Sequence, residues 1–185
     1  ATMRAGVSLL KHNMEITQGG STITQQVIKN NLLTQNKSYT RKIAEILLAP
    51  TIESKFTKAQ IMEFYCNSNF YGNKCYGVGA ASRYYFGKKC ADLEPQEAAM
   101  LIGLSNSPTA YNPVLHPQAA LKKRNRVLKT MCNEGAITPK EYKAAVKKEL
   151  NIKQLSEEGS SNETYVISYA IHCSAISLME KEDFK

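Results

Sequence analysis

Gly19-Gly20-Ser21-Thr22-Ile23-Thr24-Gln25-Gln26-Val27-Ile28-Lys29-Asn30 carries the strongest helix signal of the chain. Two glycines punctuate the chain. Thr22 and Gln25 then stand at capping-box spacing, so a helix is predicted to begin near Ser21 or Thr22 and to run to about Leu33. That helix carries a polar set: Thr24, Gln25, Gln26, Lys29 and Asn30. Gln25 and Lys29 are one turn apart and share a face, as do Gln26 and Asn30. Amides and an ammonium on adjoining faces can hold sugar hydroxyls and phosphate oxygens. An exposed helix face with ordinary polar decoration has the same spacing.

Working outward, a short polar loop from Thr34 to Lys37 leads to Ser38, which can cap a second helix with Ile43, Leu47 and Leu48 on an apolar stripe. Pro50 falls inside that pattern and is expected to kink or end it. Arg41 and Glu45 are spaced for an intrahelical ion pair, worth a few tenths of a kcal/mol on an open surface. If Glu45 faces a cleft instead, its carboxylate can serve a metal or a proton. Glu53, two turns further on, reads as structural. Thr57 and Gln60 give a second capping box for a helix through about Asn67. Gly72, Gly77 and Gly79 punctuate a loop rich in tyrosine and asparagine, where glycine allows a ligand to approach the backbone. A short helix ends at Gly87, another starts at Pro95 and runs to about Leu104, and a basic one spans about Pro117 to Asn133. Thr138, Pro139 and Glu141 start the next. No strand alternation or internal repeat is sustained, so the fold class is all-α. The composition changes after Leu150: residues 156–164 read as a linker and Tyr165 to Met179 turns apolar again. Residues 1–150 are therefore expected to form one domain, with 151–185 a linker and the start of a following region.

The 185 residues, 43% of them hydrophobic, suffice for a globular domain with a real core. No apolar run has membrane-spanning length, and no charged start leads into an apolar stretch. The first residue is Ala1, which is expected of a piece of a longer protein. The net charge of +8 suggests an acidic partner: nucleic acid, lipid headgroup or pyrophosphate. Much of the excess lies in Lys122 to Arg126 and Lys143 to Lys148, which read as solvated helix faces. The five cysteines form no CxxC pair, so free thiols are expected rather than a zinc site.

The quoted stretch resembles the GGSTITQQ(L/V)xKN motif of family 51 glycosyltransferases, the peptidoglycan-polymerising domains of class A penicillin-binding proteins and of monofunctional polymerases. Further motifs follow in family order. Arg41-Lys42-Ile43-Ala44-Glu45 resembles RKxxE. Ile61 to Asn67, Gly72, Tyr76-Gly77-Val78, Ala80-Ala81 and Tyr85-Phe86-Gly87-Lys88 resemble the ILExYLN to YFGK block. Glu97-Ala98-Ala99 through Ser107-Pro108, Tyr111 and Pro113 resemble EAA to PxxYxP. Together they span roughly residues 5–150.

The resemblance implies an all-α, lysozyme-like head with a smaller, membrane-associated jaw at the extracytoplasmic face of the cell membrane. It implies lipid II and the growing glycan chain on undecaprenyl pyrophosphate as substrates, the membrane surface as a partner, and no nucleic acid. The acceptor 4-hydroxyl attacks, a β-1,4 bond forms with inversion and pyrophosphate leaves. Carried over by motif, Glu45 is the catalytic carboxylate at the pyrophosphate, where a divalent cation (Mg or Mn) is an option. Lys29, Lys37 and Arg41 are implied pyrophosphate contacts. Thr24, Gln25, Gln26, Asn30 and Asn67 are implied contacts to sugar or phosphate. The family's base lies in an EDxxFxxHxG motif that this sequence lacks, so this chain is expected to be a fragment inactive by itself. A lipid II-binding remnant without catalysis is the alternative. A nucleic-acid-binding module and a lysozyme-like hydrolase leave the lipid-pyrophosphate motifs unexplained.

Overall fold

A computed structural model describes residues 21–33 and 39–154. Lys37, Ser38 and the stretches at 1–20 and 155–185 lie outside the described residues, and with them the expected second cap and the linker. Among the described residues the chain is helical, with one isolated bridge between Phe70 and Tyr76. The all-α class therefore stands. Two compact units divide at Ser68 and Asn69.

In the first unit, α1 covers Ile23–Asn31. The Thr22 hydroxyl accepts from the Gln25 backbone N–H at 3.2 Å, and the Gln25 side chain accepts from the Thr22 N–H at 3.2 Å. This is the capping box expected from the sequence, and it satisfies two helix-end donors locally. Val27 and Ile28 are buried, and α1 packs against both α2 (Tyr39–Lys55) and α3 (Lys58–Ser68). The start of α3 is set by Thr57, whose hydroxyl accepts from the Gln60 N–H at 3.3 Å.

Pro50 does not end α2, which runs through it to Lys55. A proline inside a helix deprives the carbonyl four residues back of its donor. Here that carbonyl belongs to Ile46, itself 48% exposed, and Pro50 is exposed too. Water can serve the carbonyl on that side, so the helix continues.

In the second unit, α4 (Val78–Phe86) begins at Gly77 and stops at Gly87, whose φ of +67° is the left-handed cap glycine adopts without strain. A 3-10 turn at Cys90–Asp92 leads to α5 (Pro95–Asn106), then α6 (Pro117–Asn133) and α7 (Pro139–Lys147). Tyr71, Ala81, Tyr85, Phe86, Met100, Leu101 and Leu104 form one core cluster, and Ala99, Leu128, Ile137 and Ala145 a second. Burial pushes the Tyr85 hydroxyl well above the ordinary tyrosine range, so it stays a donor, to the Tyr71 carbonyl at 2.8 Å. Leu150 and Ile152 pack on the first cluster, and the Lys153 N–H donates to the Tyr85 carbonyl at 2.9 Å. The second unit thus holds its chain to Lys153.

The basic run of α6 is not wholly a solvated face. Arg124 is only 1% exposed. Its guanidinium donates to the carbonyls of Lys148 at 2.7 Å and Val146 at 3.1 Å, clamping the end of α7. The last carbonyls of a helix need such donors, and a cation suits the negative end of the helix dipole.

Candidate functional site

The first unit gathers part of the motif set around one carboxylate. Glu45 projects from the middle of α2 and is 2% exposed. One turn earlier on the same helix, Arg41 Nε lies 3.3 Å from Glu45 Oε1. This is a charge contact without hydrogen-bond geometry. Lys42, three residues before Glu45, brings its Nζ to 2.6 Å from Oε2. The same ammonium donates to Ser21 Oγ at 2.7 Å and to Gln25 Oε1 at 3.4 Å. The Gln25 amide oxygen therefore serves the α1 cap and the α2 lysine together.

The structure brings together Gln25, Arg41 and Glu45 of the residues expected from sequence. Thr24 is buried too, but its hydroxyl donates to Glu53 Oε1 at 2.6 Å instead. These two border a cleft of about 550 Å³ whose walls include Ile23, Phe56, Ile61 and Met62 and none of the Glu45 group. Gln26 is half-buried, and its amide makes a long 3.5 Å contact to the Ser21 carbonyl. Lys29 and Asn30 are half-buried towards the end of α1, and Asn67 is half-buried near the end of α3.

Lys42 and Ser21 are the members that sequence reasoning left without a role. The signal for Lys42 was present: three-residue spacing puts it on the face of α2 that carries Glu45. Ser21 has no comparable signal, because its contact crosses between helices.

A divalent cation at Glu45 does not fit these residues. Both carboxylate oxygens already face cations. Among the described residues no group of three His, Cys, Asp or Glu side chains stands close enough to hold a metal.

A buried carboxylate thus faces two cations of its own helix, and one of them also donates to the first turn of α1. The family model described as Transglycosylase matches residues 1–132, and the chain belongs to that family. It is 51% identical over 139 residues to penicillin-binding protein 1A of Aquifex aeolicus, covering 75% of this chain and 19% of that protein. It is 42% identical over 168 residues to penicillin-binding protein 1A of Pseudomonas aeruginosa, covering 91% and 20%. With penicillin-binding protein 1A/1B of Bacillus subtilis the identity is 41% over 153 residues, covering 80% and 17%. The chain thus spans about a fifth of the length of these relatives.

Proposed function

We propose that this chain is the leaving-group half of a peptidoglycan glycosyltransferase, which joins lipid II to a glycan chain carried on undecaprenyl pyrophosphate. The carrying observation is the buried Glu45 held by Arg41 and Lys42 beside Gln25. Departure of a pyrophosphate builds negative charge, and preorganised cations stabilise it most where water is excluded. Arg41, Lys29 and Lys37 supply those contacts, Arg41 through a planar guanidinium suited to phosphate oxygens. Glu45 fixes the Arg41 and Lys42 side chains and keeps them from collapsing onto solvent. Gln26, Asn30 and Asn67 offer amides to sugar hydroxyls, with Gln25 and Thr24 completing the α1 face.

A general base must take the proton of the attacking hydroxyl. The EDxxFxxHxG motif that carries it in the resemblance is not among the 185 residues. The chain by itself is therefore expected to bind substrate without turning it over. The substrate is lipid-borne, so the site works at a membrane surface, on the extracytoplasmic face where glycan is polymerised. An apolar stripe on α2 supports this: Tyr39, Ile43, Ile46 and Leu47 are 93%, 57%, 48% and 69% exposed. Among the described residues no helix is long and apolar enough to cross a membrane.

The test is Glu45→Gln in the full-length gene product, assayed with lipid-linked precursor by resolving the polymer on a gel. Removing the charge frees Arg41 and Lys42 from their anchor, and polymer formation is expected to fall by at least about a hundredfold, as for loss of one preorganised electrostatic group. Near-normal polymer would remove Glu45 from the mechanism.

A further inference from the structure

The Lys42 ammonium has three N–H donors, and three oxygens from two helices receive them. Glu45 Oε2 stands at 2.6 Å, Ser21 Oγ at 2.7 Å and Gln25 Oε1 at 3.4 Å. One oxygen is charged and two are neutral. One lies on α2, one in the first turn of α1 and one just before the cap of α1. This is a small oxygen cage around a point charge. A hard divalent ion seeks the same surroundings, with oxygen ligands at about 2.0–2.6 Å. It cannot share the cage, because it would face Lys42 at contact distance and Arg41 across the same carboxylate.

We propose that the Lys42 ammonium is the resident cation of this site: it occupies the place at Glu45, Ser21 and Gln25 that a divalent ion would otherwise take, and so sets the orientation of Glu45. Lys42 is then a positioning residue and not a phosphate contact. Its three donors are directed to oxygens within the protein. The cage also ties the α1 cap to the middle of α2, so the two motifs are held in register by one side chain. This deepens the reading above and rests on it for the chemistry served. The test measures metal binding and not turnover, so the two can fail separately.

The full-length gene product is titrated with Mn2+, and free Mn2+ is followed by electron paramagnetic resonance. Wild type and Glu45→Gln are expected to bind the same amount, since no metal sits on Glu45. Lys42→Gln empties the cage while keeping its shape, and is expected to gain one Mn2+ site that wild type lacks, at least about tenfold tighter than the residual Mn2+ binding of wild type. That site should vanish in the Lys42→Gln, Glu45→Gln double variant and should not appear in Lys42→Arg. A wild-type Mn2+ site abolished by Glu45→Gln overturns the proposal, as does a folded Lys42→Gln protein that gains none. If Lys42→Gln fails to fold, Lys42→Ala takes its place, with the same gain of one Mn2+ site expected and the absence of that gain overturning the proposal.

Discussion

Gly72 has φ +79°, and a Cβ there would meet Tyr85 Oη at 3.2 Å and the Pro108 carbonyl at 3.5 Å. Gly103 is different: it lies inside α5, and its Cβ would meet Lys123 Cγ at 2.8 Å. Lys123 is held by Tyr111, with Nζ 5.1 Å from the ring centroid, and by Asn106 at 3.1 Å. Alanine at Gly72 is expected to cost at least about 1 kcal/mol from backbone strain alone, in any background. At Gly103 the cost comes from displacing Lys123, so it should largely disappear in a Lys123→Ala background. Urea melts of the four variants measure the coupling, and additive costs at Gly103 would refute the clash. At this scale the sequence was partly legible. Arg41 and Glu45 pair as their spacing says. Arg124 could not be read from its neighbours, because what buries it is the end of α7, more than twenty residues away.

Helix starts were the most legible elements. A cap is a contact across three residues, so Thr22 with Gln25, Thr57 with Gln60 and Thr138 with Glu141 announce themselves in sequence. The last pair also has a pH signature. The Thr138 backbone N–H and hydroxyl hold the Glu141 carboxyl below its usual range. A depressed carboxyl adds stability above the ordinary glutamate value and loses it as pH falls through the lowered one. Thermal melts of Glu141→Gln, which keeps an acceptor oxygen and loses only the charge, should therefore converge on wild type under acid and separate from it near neutrality. An equal gap at both would exclude the capping carboxylate. Between elements, packing decides. Leu128 of α6 is wholly buried in the cluster with Ala99 of α5 and Ala145 of α7. Leu128→Ala is expected to cost about 2–5 kcal/mol, read from denaturant melts. Of the two effects expected of Pro50, a kink or an end, the helix shows no end, because the cost of a proline depends on where the deprived carbonyl points, and that is a property of the folded surface.

For the whole molecule, helix signals without strand alternation gave the helical class and the order of motifs gave the family, while the division at Ser68 left no mark in the sequence. The apolar side chains of α2 are also a property at this scale, since nothing among the described residues covers them. Ile43→Ser with Leu47→Ser is expected to weaken sedimentation with anionic lipid vesicles more than tenfold, from about 1.5–3 kcal/mol for each apolar side chain that leaves water. Unchanged vesicle binding would discard this face as the contact.

Pro50 gives that face a waterline. The Ile46 carbonyl receives no donor from position 50 and must keep a water or a headgroup hydroxyl as its partner, since a bare carbonyl in hydrocarbon costs several kcal/mol. If this face meets a bilayer, Ile46 and Leu47 can enter it only to the depth at which that carbonyl still sits among the headgroups. One imino acid would then limit how deep the helix can ride.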